Sequence, residues 1–400
     1  MSIDIVCIFL ECPKASRNGT RKGERVIRKN SLACKLLKKN GLFLPLGQKR
    51  GVFMKNIIHS FGLMLAIVAP HIHAADSWQQ ITQKTQPLLP GDEIQMLKLG
   101  PEKGHVFVGT LTGAAKIENG VLHPMKQAKD LKVWEITQRA AGGLWIGHSK
   151  GILLVEGDRT VPMLTGVNVS LIQAVGTQVW AIAKNESIDR NTLMQAAGDD
   201  WVVEPVFHGL NVLDLVQDSK GMIWLVIDGD GVAEVDPAKG AAAARRHLSR
   251  MNITGIMTDS QGRTWCGMMS GGVMVRQGEE WKRKLDRENT AVLSLLEDGD
   301  GKIWAATSGN GIWVYDGTDW KGLLQDEGAV NLMKMSSDKR IWVSTQRRGG
   351  LQYWNGVEWN VSLESPIPLR GLVELPNGAL LAGSVLDGVY VLGDYSIKGE

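Results

Sequence analysis

The 400-residue chain is 44% hydrophobic and 22% charged, which supplies enough apolar material for a large core and excludes a disordered polyelectrolyte. Its formal net charge of +3 conceals an asymmetry: residues 1–53 hold 12 Lys or Arg against 3 acidic groups, and removing that +9 together with Lys55 leaves residues 76–400 at about −7. A mildly acidic body gives no support for nucleic-acid binding, whose electrostatic footprint is a basic face.

From the N-terminus, residues 1–53 show no sustained hydrophobic period, and Gln48-Lys49-Arg50-Gly51 just ahead of Met54 reads as a translated purine-rich ribosome-binding site. That segment is expected to be a mis-assigned start or a disordered basic extension, and it is set aside from fold reasoning. Residues 54–75, MKNIIHSFGLMLAIVAPHIHAA, have the order of a secretory signal: a basic opening, a largely apolar run from Ile57 to Val68, and small residues at Ala74 and Ala75. The run is too short to span a bilayer. The body, 76–400, is therefore expected as a single periplasmic or secreted domain. Cys7, Cys12 and Cys34 fall in the excluded part, so Cys266 has no partner for an internal disulfide and is read as a buried, inert thiol.

Across the body one unit recurs: an apolar strand, an Asp-x-x-Gly-type turn, a short strand with Trp second, a Gly-containing turn and another strand. The clearest copies run Val212 to Asp236, Ile253 to Trp281 and Val292 to Trp320. Anchoring on the strand aromatic gives Phe107, Trp145, Trp180, Trp224, Trp265, Trp304 and Trp342, with Leu380 in a degenerate eighth copy, at intervals of 35 to 44 residues. A fixed period of this size means a repeat architecture. Alternation, with Gly turns every few residues and no helical stripe, excludes helical solenoids. The sixth unit divides into strands 292–297, 302–307, 312–315 and 320–324, joined by GDG, SGNG and DGTD turns that tolerate left-handed backbone.

A four-stranded antiparallel meander repeated in this way is a β-propeller blade, so the fold class is all-β, with eight blades expected and seven the alternative. The last copy lacks its Trp-led fourth strand, whereas Asp76-Ser77-Trp78 resembles Asp319-Trp320-Lys321. The N-terminal strand is thus expected to complete the C-terminal blade and close the ring, removing an open edge. Trp residues in second strands (145, 180, 224, 265, 304, 342) and those opening fourth strands (78, 201, 281, 320, 359) read as blade-to-blade packing. Trp134, Trp313 and Trp354 fall outside both classes and are candidates for an exposed platform.

No linear catalytic signature appears: there is no nucleophile elbow, P-loop, dinucleotide fingerprint or His-x-x-x-His pair, and no cofactor or metal is expected. The Asp228-Gly229-Asp230 and Asp298-Gly299-Asp300 turns carry too few acids for a calcium loop and read as ordinary turns. If first strands line the channel, the loops between second and third strands and those between blades share one face. That face would hold His148, Lys150, Lys184, Asn185, Glu186, Asp228, Asp230, Asn310, Arg347, Arg348 and Asp387 as candidate ligand- or partner-binding residues. His148 reads as a solvated loop imidazole, and Gln346 to Gly350 as a longer loop whose adjacent guanidinium groups suit a carboxylate or sulfate.

Leu295 to Asp298, Gly301 to Thr307 and Gly311 to Tyr315 resemble the two-component-regulator propeller repeat, and the resemblance extends over about 76–395. It implies a binding and sensing scaffold of the kind found in periplasmic regions of hybrid sensor kinases, with a protein partner, a sensor kinase among the candidates, or a small extracellular ligand. The chain shows no membrane span, kinase or DNA-binding region after the propeller, so a stand-alone exported adaptor or binding protein is expected rather than an enzyme. The alternative is a propeller lyase or hydrolase acting on a polysaccharide or cyclic ester in the channel. Such lyases need a His and acid pair there, which spacing does not reveal.

Overall fold

Within each repeat the apolar run pairs with the Trp-led run across the Asp turn, and two further antiparallel strands complete a sheet. The computed structural model describes residues 77–175, 178–185, 190–197, 200–286 and 290–399; the expected extension and signal sequence lie outside the described residues. The described residues form eight sheets, and the seven-blade alternative falls. First strands of blades 1 to 8 are Ile94–Leu99, Val133–Gln138, Asn168–Val175, Val212–Gln217, Ile253–Thr258, Val292–Glu297, Val330–Met335 and Leu369–Glu374. First strands of successive blades lie against one another, except that the first strand of blade 5 meets the second strand of blade 4, and that of blade 8 lies against that of blade 1, which puts these strands around the central channel. Blade 6 follows the sequence expectation to within a residue: Val292–Glu297, Ile303–Thr307, Ile312–Tyr315 and Trp320–Leu323.

The turn acid has a specific task. Asp298 Oδ1 accepts the backbone N–H groups of Asp300 and Lys302, both at 2.9 Å, while Oδ2 accepts the indole N–H of Trp304 at 2.7 Å. Asp259 does the same for Gln261, Arg263 and Trp265, and Asp218 for Lys220, Met222 and Trp224. Ser336 caps Trp342 in blade 7. The Asp-to-Trp spacing of six therefore lets a buried indole N–H find an acceptor, which it otherwise lacks in a packed interior. Blade 2 shows the exception: Arg139 stands where the acid would be, and the buried Trp145 N–H has no partner.

Two residues after the Trp, a small side chain admits the next blade. A Cβ on Gly267 would lie 2.7 Å from the backbone O of Val292, and one on Gly383 2.6 Å from Ile94 Cγ2. Blade 8 corrects the anchor position: Val373 of its first strand pairs with Leu381, as Lys334 pairs with Trp342, so Leu381 and not Leu380 occupies the Trp column. The fourth-strand Trp of one blade packs edge-on against the second-strand Trp of the blade before it: Trp201 on Trp145 at 5.5 Å, Trp281 on Trp224 at 6.3 Å, Trp359 on Trp304 at 6.3 Å and Trp78 on Trp342 at 6.4 Å. Trp313 is buried and cannot serve as a platform, whereas Trp354 is half-buried and stacks on Trp359.

Gln79–Ile81 pairs antiparallel with Val389–Leu392 as the fourth strand of blade 8, the expected closure. A second closure was not legible: Lys398–Gly399 runs parallel to Val121–Pro124 as a fifth strand on blade 1, with Ile397 buried beside it. The first closure depends on Gly388, at φ +78°, where a Cβ would lie 2.1 Å from the Ile81 carbonyl O. Gly388→Ala is expected to destabilise the propeller by ~2 kcal/mol or more through left-handed strain and displacement of the latch strand. Urea denaturation and faster proteolytic release of residues 77–90 would read this; unchanged values for both would show that the strand does not depend on that approach.

Candidate functional site

In six blades the residue after the second strand donates its N–H to the carbonyl of the residue preceding the first strand: Ser149 to Lys132, Asp228 to Asn211, Met269 to Asn252, Ser308 to Ala291, Gln346 to Ala329 and Val385 to Pro368 (2.7–3.5 Å). This ties the turn between second and third strands to the interblade link, so both sets of loops frame one mouth of the channel.

The sequence-predicted residues are spread around that mouth, and most are engaged locally. Asp230 meets Arg246 at 3.5 Å and the Arg250 N–H at 3.4 Å, and Asp228 accepts from Asn211 at 3.0 Å. Asn310 is exposed and donates to Thr290 at 3.0 Å. Asp387 accepts from the Tyr390 hydroxyl at 3.4 Å. Lys150 is exposed and Lys184 half-buried; Asn185 ends a strand, and Glu186 lies outside the described residues.

Arg347 and Arg348 are exposed, but Arg347 donates to the Asp326 carbonyl at 2.6 Å, and Arg348 pairs with the largely buried Glu327 at 2.9 Å. Their loop holds three residues between Thr345 and Gly349, fewer than the four of the blade 6 loop, so the expected longer loop is corrected.

His148 is a further correction. It is the last residue of a second strand, 5% exposed, and burial, with Lys150 nearby, lowers its pKa to about 4. Nδ1 accepts the Lys150 N–H at 3.1 Å, the task that the Thr307 hydroxyl performs for Asn310 at 2.9 Å in blade 6. Neutral His148 therefore carries its proton on Nε2, which is buried without a partner.

Sequence reasoning missed the most regular feature of the mouth. All eight first strands carry a β-bulge near their start, after the first paired residue in seven blades and after the second in blade 3. The extra residues are Gln95, Trp134, Ser170, Leu213, Thr254, Leu293, Asn331 and Arg370, one per blade. A bulge re-aims the side chain it carries. Ring residues reach the next blade: Arg370 donates to the ring residue Gln95 at 2.5 Å, Trp134 to Asn168 at 2.7 Å and Thr254 to the Val292 carbonyl at 2.5 Å. A column of unlike residues following the first Val, Ile or Leu of each unit was the available signal.

On blades 4 and 6 the ring residues are leucines, flanking Thr254 of blade 5. Leu213 and Leu293 are exposed, as are Met251 in the interblade link and Met269 in the adjacent turn, at 54%. Below the ring two carboxyls are pushed up by burial: Glu135, opposed by its pairing with Lys98, and Asp214, opposed by the Leu215 N–H. Across the channel a cavity of about 600 Å³ is lined by blades 7, 8 and 1, including Lys98, Lys334 and Arg370. Away from the mouth, His105 lies between Glu102 (3.3 Å) and Glu118 (3.1 Å), one carboxylate at each ring nitrogen, so they satisfy the imidazole rather than converge on one point.

Residues 287–309 match the family described as Two component regulator propeller. Residues 287–309 thus carry one copy of the two-component-regulator propeller repeat. No curated relative matches it. Among solved structures it is similar to the extracellular domain of a hybrid two component system from B. thetaiotaomicron, at 13% identity over 77% of this chain and 51% of that one, TM-score 0.48. It is also similar to virginiamycin B lyase from Staphylococcus aureus, at 11% identity over 79% and 98%, TM-score 0.49, and to YCF48 from Cyanidioschyzon merolae, at 12% identity over 65% and 95%, TM-score 0.46. The chain spans about half the length of the B. thetaiotaomicron domain, and at these identities the likeness concerns the fold alone. In this regulator-propeller repeat the match covers the blade 6 first strand, its Asp298 turn and Trp304, residues that the geometry assigns to building the blade. No helix among the described residues is long and apolar enough to cross a membrane.

Proposed function

We propose that the chain is an exported binding propeller, without an enzymatic role, whose mouth-side face engages a protein partner in signal sensing or as an adaptor. The observation that carries this reading is the exposed Leu213, Met251, Met269 and Leu293 group on blades 4 to 6, set on the same face as the interblade loops. Exposed apolar side chains gathered on one face, with pliable Met among them, suit a protein interface. Strands fixed by eight blades hold these side chains in place before binding, which lowers the ordering cost of association. Arg347 and Arg348 would sit at the polar rim, where they tune encounter more than affinity.

The test is in-cell cross-linking and capture with the full chain, comparing wild type with Met269→Glu/Leu293→Glu and with Arg347→Glu/Arg348→Glu. The first variant is expected to lose a specific membrane or periplasmic partner while keeping its melting temperature, and the second to weaken capture less. Capture of the same proteins by wild type and the apolar-to-acid variant would remove the assignment.

A further inference from the structure

The channel wall of blades 7, 8 and 1 carries a second, chemically distinct feature. Lys98 and Lys334 are the fifth residues after bulge counting in the first strands of blades 1 and 7, paired with Phe107 and Trp342, and so stand at the same depth on either side of blade 8. Arg370 is the bulge residue of blade 8, between them and nearer the mouth. Three residues along a strand span ~10 Å. All three residues line the cavity of about 600 Å³, whose wall also carries Leu97, Leu372 and Val373 together with Gln95 and Glu374.

The acids nearby leave this charge incompletely matched. Glu374 is held by the Ser337 N–H and hydroxyl, both at 2.6 Å, and Glu135 pairs with Lys98. Lys334 is exposed and has no ion-pair or hydrogen-bond partner among the described residues. Arg370 is exposed too, and spends one N–H on Gln95, leaving the rest of its guanidinium fork open.

We propose that this wall is a binding site for a small dicarboxylate, one carboxylate held by Arg370 at the mouth and the other by Lys334 deeper in the channel, with Lys98 held by Glu135 at the edge of the site. A guanidinium fork matches a planar carboxylate, the lysine acts as a point charge, and the apolar side chains between them suit the hydrocarbon that separates the two anionic groups. A lone sulfate or phosphate could meet only one end. The site is separate from the Met269 and Leu293 surface and stands whether or not a protein docks there.

The experiment is titration calorimetry on the full chain with suberate, octanoate and inorganic sulfate at low ionic strength, and with an oligoglutamate peptide. Suberate is expected to bind about tenfold or more tightly than octanoate, and Lys334→Gln and Arg370→Gln each to weaken it about fivefold or more. Lys282→Gln on an outer strand is expected to leave suberate affinity unchanged. Both channel substitutions are at exposed positions, and unchanged melting temperatures would show that the fold is kept. Equal affinity for suberate and octanoate, no binding of either, or equal losses from Lys282→Gln would overturn the proposal. Oligoglutamate binding with suberate excluded would also overturn it, in favour of an acidic peptide segment.

Discussion

Stability is expected to fall by about 3 kcal/mol between pH 6.5 and pH 4 because His148 must be buried neutral. Its pKa is lowered in the folded chain to about 4 by burial, with the Lys150 charge adding to the effect, whereas the unfolded chain titrates near 6.5. Between those values the unfolded state binds more protons than the folded state, so stability rises with pH through this window and is fully present above it. Below pH 4 both states are protonated and the loss is complete. Blade 6 supplies the comparison, because Thr307 makes the turn-capping bond that His148 makes in blade 2, without a titratable group. His148→Thr should therefore flatten the dependence over this window while costing little near neutrality. Urea denaturation at several pH values reads both chains. Equal slopes for wild type and His148→Thr would show that another group drives any acid loss.

Asp259→Ala is expected to cost ~2–3 kcal/mol, because it leaves a buried indole N–H and the turn N–H groups without their acceptor. Asp259 is 1% exposed and accepts from the Arg263 Nε at 2.6 Å and the Trp265 indole N–H at 2.7 Å, besides two backbone N–H groups of its turn. Alanine would leave the buried indole N–H without an acceptor and Arg263 without its carboxylate. Asp259→Ser should recover part of the loss, because Ser336 alone caps Trp342 at 2.9 Å in blade 7. The order wild type, serine, alanine in urea midpoint, with Trp fluorescence as the probe, is the expected result. An alanine variant within about 0.5 kcal/mol of wild type would sink the capping account.

The repeat was legible because each of its residues answers a local need that recurs. A Trp in the second strand of six blades, an acid or hydroxyl six residues before it in blades 4 to 7, and a small residue two after the column position in six blades are short-range requirements, and they survive as spacing. Ring closure by the N-terminal strand was legible for a related reason, since a blade lacking its fourth strand at one end of the chain was matched by an orphan strand at the other. The shift from Leu380 to Leu381 arose where the Trp was absent and apolar residues on both sides made the register ambiguous.

The candidate site was less legible. His148 looked like a loop imidazole because its sequence neighbours, Ser149 to Gly151, are turn residues. Only the pairing of Val133 with His148 places it in the strand and under the turn. Arg347 and Arg348 looked free because Asp326 and Glu327, which hold them, lie about twenty residues back in an interblade link.

Sequence alone determined the all-β class, the blade period, the Trp packing and the face on which loops gather, because these follow from alternation, turn chemistry and strand direction within a single repeat. Tertiary structure decided which side chains the eight bulges bring to the mouth, that apolar residues collect on blades 4 to 6 while cations line blades 7, 8 and 1, and that the C-terminal strand latches onto blade 1. Those arrangements depend on residues from separate repeats meeting across a closed ring. Residues some 40 to 275 positions apart share no local pattern, and only closure of the ring brings them together.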